Sequence, residues 1–332
     1  MLTFDLEEER IIDEILSRNA RRILIQLPDG LKPYGYRISK TIEEKTGRSI
    51  YLSSNPCYGG CDLAVNEAAV LKCDLVIHYG HSPFIKNLTF PVLYVRAKIS
   101  VDKIDFLKKI ENKFSNTCKI GIASTIQYIE LLKHIKKILE SSGFKVIIPP
   151  KMGKLAFSGQ ILGCEYSSLK QIKDRVDNYI IIGSKFHSLG ASLIIDKPVF
   201  FLDPHSDRFE NIEPLKKNII QQRYALILKV KKLEKIGILI GLKIGQLNHD
   251  AAIKIKKYLE LSGKKTAFIT VNEISSDYLN NFSDFDAFVN TACPRVAIDD
   301  IGRFNKPIIN EKECLVAIGR LGWKDLCENG FF

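Results

Sequence analysis

The sequence has no long hydrophobic run, and its apolar stretches are short and interrupted by charged residues. A helix that spans a membrane needs about 20 consecutive apolar residues, and a secretory signal begins with a basic segment. The first ten residues are acidic instead. We therefore expect neither a membrane-spanning helix nor a secretory signal, and we predict a cytoplasmic protein that does not bind a membrane.

Cysteine pairs with C-x-x-C spacing are also absent. The chain has 8 cysteines in 332 residues, and no two of them form a C-x-x-C pair. Structural zinc sites commonly use such pairs, and the cytosol keeps thiols reduced, so neither a paired-thiolate zinc site nor a disulfide scaffold is favoured. The cysteines are therefore expected to be buried or to bind another kind of metal centre.

Two further binding motifs are missing. The formal net charge is +11, but no basic cluster is interleaved with aromatic residues in the way that nucleic-acid stacking surfaces require. A helix predicted over 215–235 carries several basic residues, Arg223 among them, and is interpreted as a solvated face. No G-x-G-x-x-G segment follows a predicted strand. The sequence thus predicts neither a direct nucleic-acid substrate nor a dinucleotide site.

One pattern occurs three times along the chain. Each copy has an apolar strand, a helix that ends at a glycine, a second strand, a third apolar strand and a fourth strand that begins at a proline. The glycines are Gly47, Gly143 and Gly263, where a left-handed helix end is expected. Strands that read as continuous apolar runs between helices are typical of parallel sheets buried on both faces.

The repeat predicts the α/β fold class, with three similar parallel-sheet domains. We place them at 1–115, 116–214 and 215–332 and expect them to pack around an approximate threefold axis. Ligands of parallel α/β sheets bind at the carboxyl ends of the strands.

Each predicted domain places one cysteine in a loop at such an end. These are Cys61, Cys164 and Cys293, and we expect them to converge at the centre of the molecule. Three thiolates would leave one iron of a 4Fe-4S cluster free to bind a substrate. Each thiol alone could equally be a buried packing residue, and Cys57 could ligate in place of Cys61.

Three segments carry a family resemblance. Residues 55–62 (NPCYGGCD), 159–164 (GQILGC) and 289–295 (VNTACPR) resemble, in this order, segments of the diphthamide synthesis family, especially its archaeal members. The resemblance extends over nearly the whole chain and implies that Cys61, Cys164 and Cys293 are the ligands of a 4Fe-4S cluster.

The resemblance also implies an activity. Family members use an unusual radical reaction to transfer the 3-amino-3-carboxypropyl group of S-adenosylmethionine to C2 of a histidine on translation elongation factor 2. This is the first step of diphthamide synthesis. It implies further that the chain forms a homodimer and receives an electron from a separate donor.

Three residues are candidates for binding S-adenosylmethionine. Lys185 and Arg295 are cations suited to the carboxylate of the methionine moiety. Gln246 lies in a loop after a predicted first strand, where a nucleoside could bind. Histidines at predicted strand ends are more often structural, and no catalytic residue is assigned. These strand-end histidines are His78, His81, His187 and His205.

Two other functions fit the same pattern. A quinolinate-synthase-like dehydratase also has three α/β domains and a 4Fe-4S cluster held by three cysteines. A redox-sensing or ligand-binding module would use the thiols without a cluster. The segments at 55–62 and 289–295 favour the transferase.

Overall fold

The computed structural model describes residues 4–101 and 106–332, which form three successive α/β stretches with one principal sheet each. In the first stretch, the sheet has the strand order β3-β2-β4-β5, and a separate antiparallel pair joins β1 to β6. A 3-10 helix over Asp29–Tyr34 precedes α2. The elements are β1 (Phe4–Asp5), α1 (Glu8–Ser17), β2 (Arg22–Gln26), α2 (Gly35–Thr46), β3 (Ser49–Leu52), α3 (Val65–Val70), β4 (Leu75–Tyr79), β5 (Val92–Val95) and β6 (Lys98–Ile99).

The second stretch forms a five-stranded sheet with the order β11-β10-β9-β7-β8. Two 3-10 helices occur, over Ile126–Tyr128 and Lys173–Arg175. The elements are α4 (Leu107–Glu111), β7 (Lys119–Ser124), α5 (Leu131–Ser141), β8 (Lys145–Ile147), α6 (Ser167–Gln171), β9 (Asn178–Ile182), α7 (Lys185–Ser192), β10 (Val199–Asp203) and β11 (Arg208–Asn211).

The third stretch forms a four-stranded sheet with the order β13-β12-β14-β15. A 3-10 helix covers Ile301–Arg303. The elements are α8 (Glu213–Lys231), β12 (Lys235–Gly241), α9 (His249–Leu261), β13 (Lys265–Val271), α10 (Ser276–Asn280), β14 (Ala287–Asn290), α11 (Val296–Asp299), β15 (Ile308–Asn310), α12 (Glu311–Ala317) and α13 (Trp323–Asn329).

The three sheets share one topology. In each, the first strand of the repeat lies between the second and the third, and the fourth lies outside the third, with all of these strands parallel. The predicted α/β class with parallel sheets is confirmed. The approximate threefold axis and the exact domain boundaries remain predictions.

The central strands are buried because apolar residues occupy both of their faces. All five residues of β4 are buried, and only the first residue of β12 is exposed. Gly47, Gly143 and Gly263 have positive φ angles of 65°, 92° and 79°, as predicted. A residue with a Cβ would be strained at these helix ends, so the glycines let the chain turn into the second strand of each repeat.

The structure departs from the sequence-based picture in two elements. Strand β11 pairs antiparallel with β10, so the second sheet is not purely parallel. The predicted helix over 215–235 spans Glu213–Lys231, and Arg223 within it is fully buried rather than solvated. Arg223 reaches inward because Glu313 and two backbone carbonyls accept its hydrogen bonds.

Packing joins the successive stretches. Phe106 and Ile110 belong to the same hydrophobic cluster as Ile120, a residue of β7. Leu189 from α7 shares a cluster with Ile236 from β12. The second and third stretches therefore have a common core.

Within residues 4–101 and 106–332, no helix combines the length and the apolar character needed to cross a membrane.

Candidate metal centre

The three candidate cysteines line one cavity of about 650 Å³. Cys61 follows the second strand of the first sheet, Cys164 follows the second strand of the second sheet, and Cys293 follows the third strand of the third sheet. All three thiols are free and half-buried. Residues far apart in sequence thus meet at the carboxyl ends of three sheets, as expected for a ligand site of parallel α/β sheets.

The loop that carries Cys61 is fastened to the first sheet by Gln26, the last residue of β2. Gln26 Nε2 donates to the backbone oxygen of Asp62 at 2.7 Å, and the backbone N–H of Ala64 donates to Gln26 Oε1 at 3.0 Å. Gln26 is buried. Because both halves of the amide are used, the position of Cys61 is set by a strand end rather than by the loop alone.

The loop before Cys164 runs along the end of β7. The backbone N–H of Ser124 donates to the oxygen of Gly159, and that of Ile161 donates back to the oxygen of Ser124. The buried side chain of Gln160 donates to Ser82 Oγ, in the first stretch, at 2.7 Å. This second loop is therefore anchored to its own sheet and to its neighbour.

Two asparagines at the ends of β14 and β15 hold the loop of Cys293. Asn290 Nδ2 donates to the backbone oxygen of Cys293 at 2.6 Å and to Asn310 Oδ1 at 3.1 Å. Asn310 Nδ2 donates to the oxygen of Pro294 at 2.8 Å. Both asparagines are buried, so two adjacent strands hold the loop of Cys293 in place.

The surroundings keep the three thiols protonated at neutral pH. Burial raises the pKa of Cys164 to about 12 and that of Cys293 to about 11, and it also raises the pKa of Cys61. Cys61 and Cys293 each add to the upward shift at Cys164. Neighbouring thiolates that raise one another's pKa are stabilised when a metal centre neutralises them, so metal binding must release protons.

A loop from the third stretch contacts Cys61 directly. The backbone N–H of Gly245 donates to the oxygen of Cys61 at 3.0 Å, and Gln246 Nε2 lies 3.5 Å from Cys61 Sγ. A Cβ at position 245 would come within 2.5 Å of Cys61 Cα. Only glycine permits this approach, which brings an amide donor to the candidate metal ligand.

An ion-pair network reinforces the same contact. Lys243 Nζ donates to Asp62 Oδ2 at 2.7 Å and to Glu273 Oε2 at 2.9 Å. Burial opposes the charge on Lys243, but the hydrogen bonds to these carboxylates raise its pKa. The first and third stretches are thus joined by a charge-assisted link beside Cys61.

Arg295 also lies at this cavity and is almost completely buried. Its Nε and Nη2 donate to the two carboxylate oxygens of Asp299 at 2.7 and 2.8 Å, and Nη2 also donates to the oxygen of Phe186 at 2.7 Å. Nη1 is buried and has no hydrogen-bond partner among the described residues. One donor of this guanidinium is therefore unsatisfied, and a ligand in the cavity reaches it only if neighbouring side chains move.

Lys185, the third candidate for S-adenosylmethionine, is placed differently. It is the first residue of α7, and its Nζ forms an ion pair with Glu210 at 2.5 Å. In the part of the chain that the structure describes, Lys185 is not among the residues that line the cavity. The structure therefore brings Arg295 and Gln246 to the thiols but leaves Lys185 outside.

The four strand-end histidines separate into two groups. His81 and His187 line the cavity, and burial lowers their pKa values to about 4 and about 3. His78 is fully buried behind His81, and His205 is exposed in the turn after β10. Both cavity histidines are therefore neutral at physiological pH.

Several residues of the site carry no recognisable signal in the sequence. Asp62 adjoins Cys61, but its partners Lys243 and Glu273 come from loops far along the chain. Gln127 donates to the oxygen of Gly80 across the first and second stretches at 2.6 Å.

Cys57 lies apart from the cavity-lining thiols. It is buried, and its Sγ is 3.9 Å from His81 Nδ1. Among the described residues, Cys61 lines the cavity and Cys57 does not.

Comparison with known proteins agrees with this geometry. The diphthamide synthesis protein family matches residues 27–327. The 2-(3-amino-3-carboxypropyl)histidine synthase of Pyrococcus horikoshii is 34% identical, over 95% of this chain and 91% of the relative. The synthase of the same name from Methanocaldococcus jannaschii is 33% identical, over 93% of this chain and 88% of the relative.

A solved structure is similar throughout. The crystal structure of Dph2 from Pyrococcus horikoshii with a 4Fe-4S cluster superposes with a TM-score of 0.88 at 34% identity, covering 98% of this chain and 94% of that chain. The sequence match and the structural match both extend over most of the molecule. The chain therefore belongs to the diphthamide synthesis protein family.

Proposed function

We propose that this protein transfers the 3-amino-3-carboxypropyl group of S-adenosylmethionine to C2 of a histidine on translation elongation factor 2, the first step of diphthamide synthesis. The observation that carries the proposal is the meeting of Cys61, Cys164 and Cys293, one from each sheet, at a single cavity. Relatives with the name 2-(3-amino-3-carboxypropyl)histidine synthase support it.

The donor set fits a 4Fe-4S cluster. Three thiols, carried by loops that are fastened to strand ends of three sheets, match the number and type of protein ligands that such a cluster takes. We assign Cys61, Cys164 and Cys293 as the ligands and exclude Cys57, because Cys57 faces His81. When bound, the cluster supplies an iron without a protein ligand and the electron that cleaves a carbon–sulfur bond of S-adenosylmethionine.

The chain's own residues bind and orient the donor molecule. Arg295 is the cation for the carboxylate of the methionine moiety. Asp299 and Phe186 set its position, and its unpaired Nη1 reaches the carboxylate once neighbouring side chains move. A buried donor without a partner costs about 1–3 kcal/mol, which a bound carboxylate would recover. Gln246 donates to Cys61 Sγ and lies where the rest of S-adenosylmethionine would pass.

The imidazoles of His81 and His187, which line the cavity, are neutral and add no charge to it. The quinolinate-synthase-like alternative has no support from the similar proteins, which are synthases of the diphthamide family. The experiment below also distinguishes the redox-sensing or ligand-binding module, called here the thiol module, which would use the thiols without a cluster.

The test is an anaerobic reaction with carboxyl-labelled S-adenosylmethionine. Protein reconstituted with iron and sulfide and then reduced is incubated with elongation factor 2, and we expect label in the factor together with methylthioadenosine. A factor in which the acceptor histidine is replaced is the matched control. Label that stays in the small molecule, with no methylthioadenosine formed, would contradict the proposal. A colourless protein after reconstitution would favour the thiol module.

The proposal includes two partners besides the elongation factor. A homodimer and a separate electron donor follow from the family resemblance, and a cytoplasmic location follows from the protein substrate. Size-exclusion chromatography with light scattering tests the first of these: a mass twice that of the 37.6 kDa chain is expected.

A further inference from the structure

A second group of potential metal ligands lies behind the cavity wall. Cys57, His78 and His81 each offer one ligand atom, and the three atoms lie within 4.8 Å of one another. His78 Nε2 is 3.0 Å from His81 Nδ1, which in turn is 3.9 Å from Cys57 Sγ. None of these residues is one of the three cluster thiols.

The hydrogen bonds of Gln26 determine which nitrogen of His78 is free. Gln26 Oε1 accepts the backbone N–H of Ala64, so this atom is the amide oxygen. The same oxygen lies 2.8 Å from His78 Nδ1, which must therefore carry the proton. In the neutral ring, the lone pair of Nε2 then points toward His81. Histidine ligands of metals almost always donate their other N–H to a carbonyl or carboxylate in this way.

Burial lowers the pKa of His81 to about 4. Burial also lowers the pKa of His78. Both imidazoles are thus neutral, which is the protonation state that binds a metal ion.

We propose that Cys57, His78 and His81 form a mononuclear site for a zinc ion, separate from the 4Fe-4S cluster. Tetrahedral Zn²⁺ with bonds of about 2.3 Å to sulfur and about 2.0–2.1 Å to nitrogen places neighbouring ligand atoms roughly 3.3–3.6 Å apart. The observed separations of 3.0 and 3.9 Å lie on either side of this range.

The chemistry of the donor set selects the ion. One thiolate and two imidazoles suit zinc, and the side-chain carbonyl of Gln26 would hold the ring of His78 in place. Three protein ligands leave one coordination position for water or another ligand. Because His81 lines the cavity, the site would form part of its wall and hold the loop of residues 57–61 against β4.

The experiment uses the cluster-loaded protein. It is equilibrated anaerobically with Zn²⁺ in a weak chelator, and bound zinc is counted by mass spectrometry and examined by zinc K-edge X-ray absorption. We expect one zinc per chain, with one sulfur and two imidazole nitrogens. Cys57→Ala is expected to weaken zinc binding at least about 100-fold, since even loss of a supporting group costs 10–100-fold.

Two controls keep the result specific. Cys73→Ala removes another buried cysteine of the first stretch and is expected to leave zinc binding unchanged. The triple variant Cys61→Ser, Cys164→Ser, Cys293→Ser is expected to retain one zinc, which separates this site from the cluster. His81→Gln provides a second variant should Cys57→Ala not fold.

Three results would overturn the proposal. They are failure of the parent protein to retain zinc, zinc binding that is unchanged in both Cys57→Ala and His81→Gln, and an absorption spectrum with three or more sulfur ligands. The last result would place the zinc on the cluster thiols. In that event, the contact between His78 and His81 is a simple hydrogen bond.

Discussion

At the scale of single residues, Cys57 and Cys61 show how much four positions of chain can change a thiol's surroundings. Cys61 lies at the cavity, with Gln246 against its sulfur, whereas Cys57 is turned toward His81. A glycine-rich segment separates the two cysteines, and it allows their side chains to point to different surroundings. Sequence spacing alone left the choice of ligand open because both thiols are in the same loop.

This difference predicts the iron content of two variants. Cys61→Ala is expected to lose most of its iron after anaerobic reconstitution, because two protein thiolates hold a 4Fe-4S cluster poorly. Cys57→Ala is expected to keep about four irons per chain. Iron and acid-labile sulfide analysis measures both. A reversed ranking would assign Cys57 as the ligand.

The buried His187 is expected to lower the free energy of unfolding of the protein in acid. Burial, Arg295 and His81 lower its pKa to about 3, below the value of about 6.5 in the unfolded chain. Below pH 6.5, the unfolded state therefore binds more protons than the folded state, in which His187 stays neutral. The contribution of His187 to the free energy of unfolding is complete above pH 6.5 and is lost as the pH falls toward 3.

Urea unfolding of the cluster-free protein at pH 7 and pH 5 tests this prediction. Its free energy of unfolding should fall by about 1–2 kcal/mol more than that of His187→Gln over this interval. The exposed His205→Gln serves as the control and should behave like the parent protein. Equal losses in the parent and His187→Gln would contradict the assignment.

At the scale of secondary-structure elements, the three parallel ladders were predictable because each strand is an apolar run of the right length between helices. Strand β11 was not predictable, since its sequence RFEN is polar and its pairing depends on the turn after β10. Helix α8 was predicted close to its observed ends, but the burial of Arg223 depends on Glu313, 90 residues away.

The buried pair of α8 and α12 predicts a large effect on stability. Arg223 donates to both carboxylate oxygens of Glu313, at 2.7 and 2.5 Å, and both side chains are fully buried. Arg223→Met leaves an uncompensated buried carboxylate and should lower the free energy of unfolding by about 3–5 kcal/mol.

Chemical unfolding in guanidinium chloride measures this loss. The matched control is Arg208→Met, which removes an arginine from a more exposed pair with Glu210. Exposed pairs contribute about 0–1 kcal/mol, so the control should change little. Similar effects of the two substitutions would show that the Arg223 pair contributes no more than a surface pair.

At the scale of the whole molecule, the site depends on contacts between stretches that are distant in sequence. The link from Lys243 to Asp62 joins residues 181 positions apart, and the repeat pattern contains no information about that pairing. The repeat did predict that Cys61, Cys164 and Cys293 lie at equivalent sheet edges. Whether the three cysteines come together depends on how the three sheets are placed relative to one another. The periodicity of the side chains does not determine that placement.

Gly245→Ala tests the contact between the first and third stretches. A methyl group there would overlap the backbone of Cys61, so the loop must move, at an expected cost of about 1–3 kcal/mol. Iron retained after reconstitution should fall as well, because Gln246 and Cys61 are displaced. Gly30→Ala, where the added Cβ meets no atom of the described residues within 4 Å, is the control. Full iron loading in Gly245→Ala would show that the contact is dispensable.

The distribution of the three thiols over three consecutive sheets has a consequence for biogenesis. With the proposed ligand set, a ribosome-bound chain that has emerged only as far as β11 carries two of the sulfurs and lacks the third wall of the cavity. Iron and sulfide delivery must then wait until translation has passed Cys293 and the third sheet has folded, whatever carrier delivers the inorganic components.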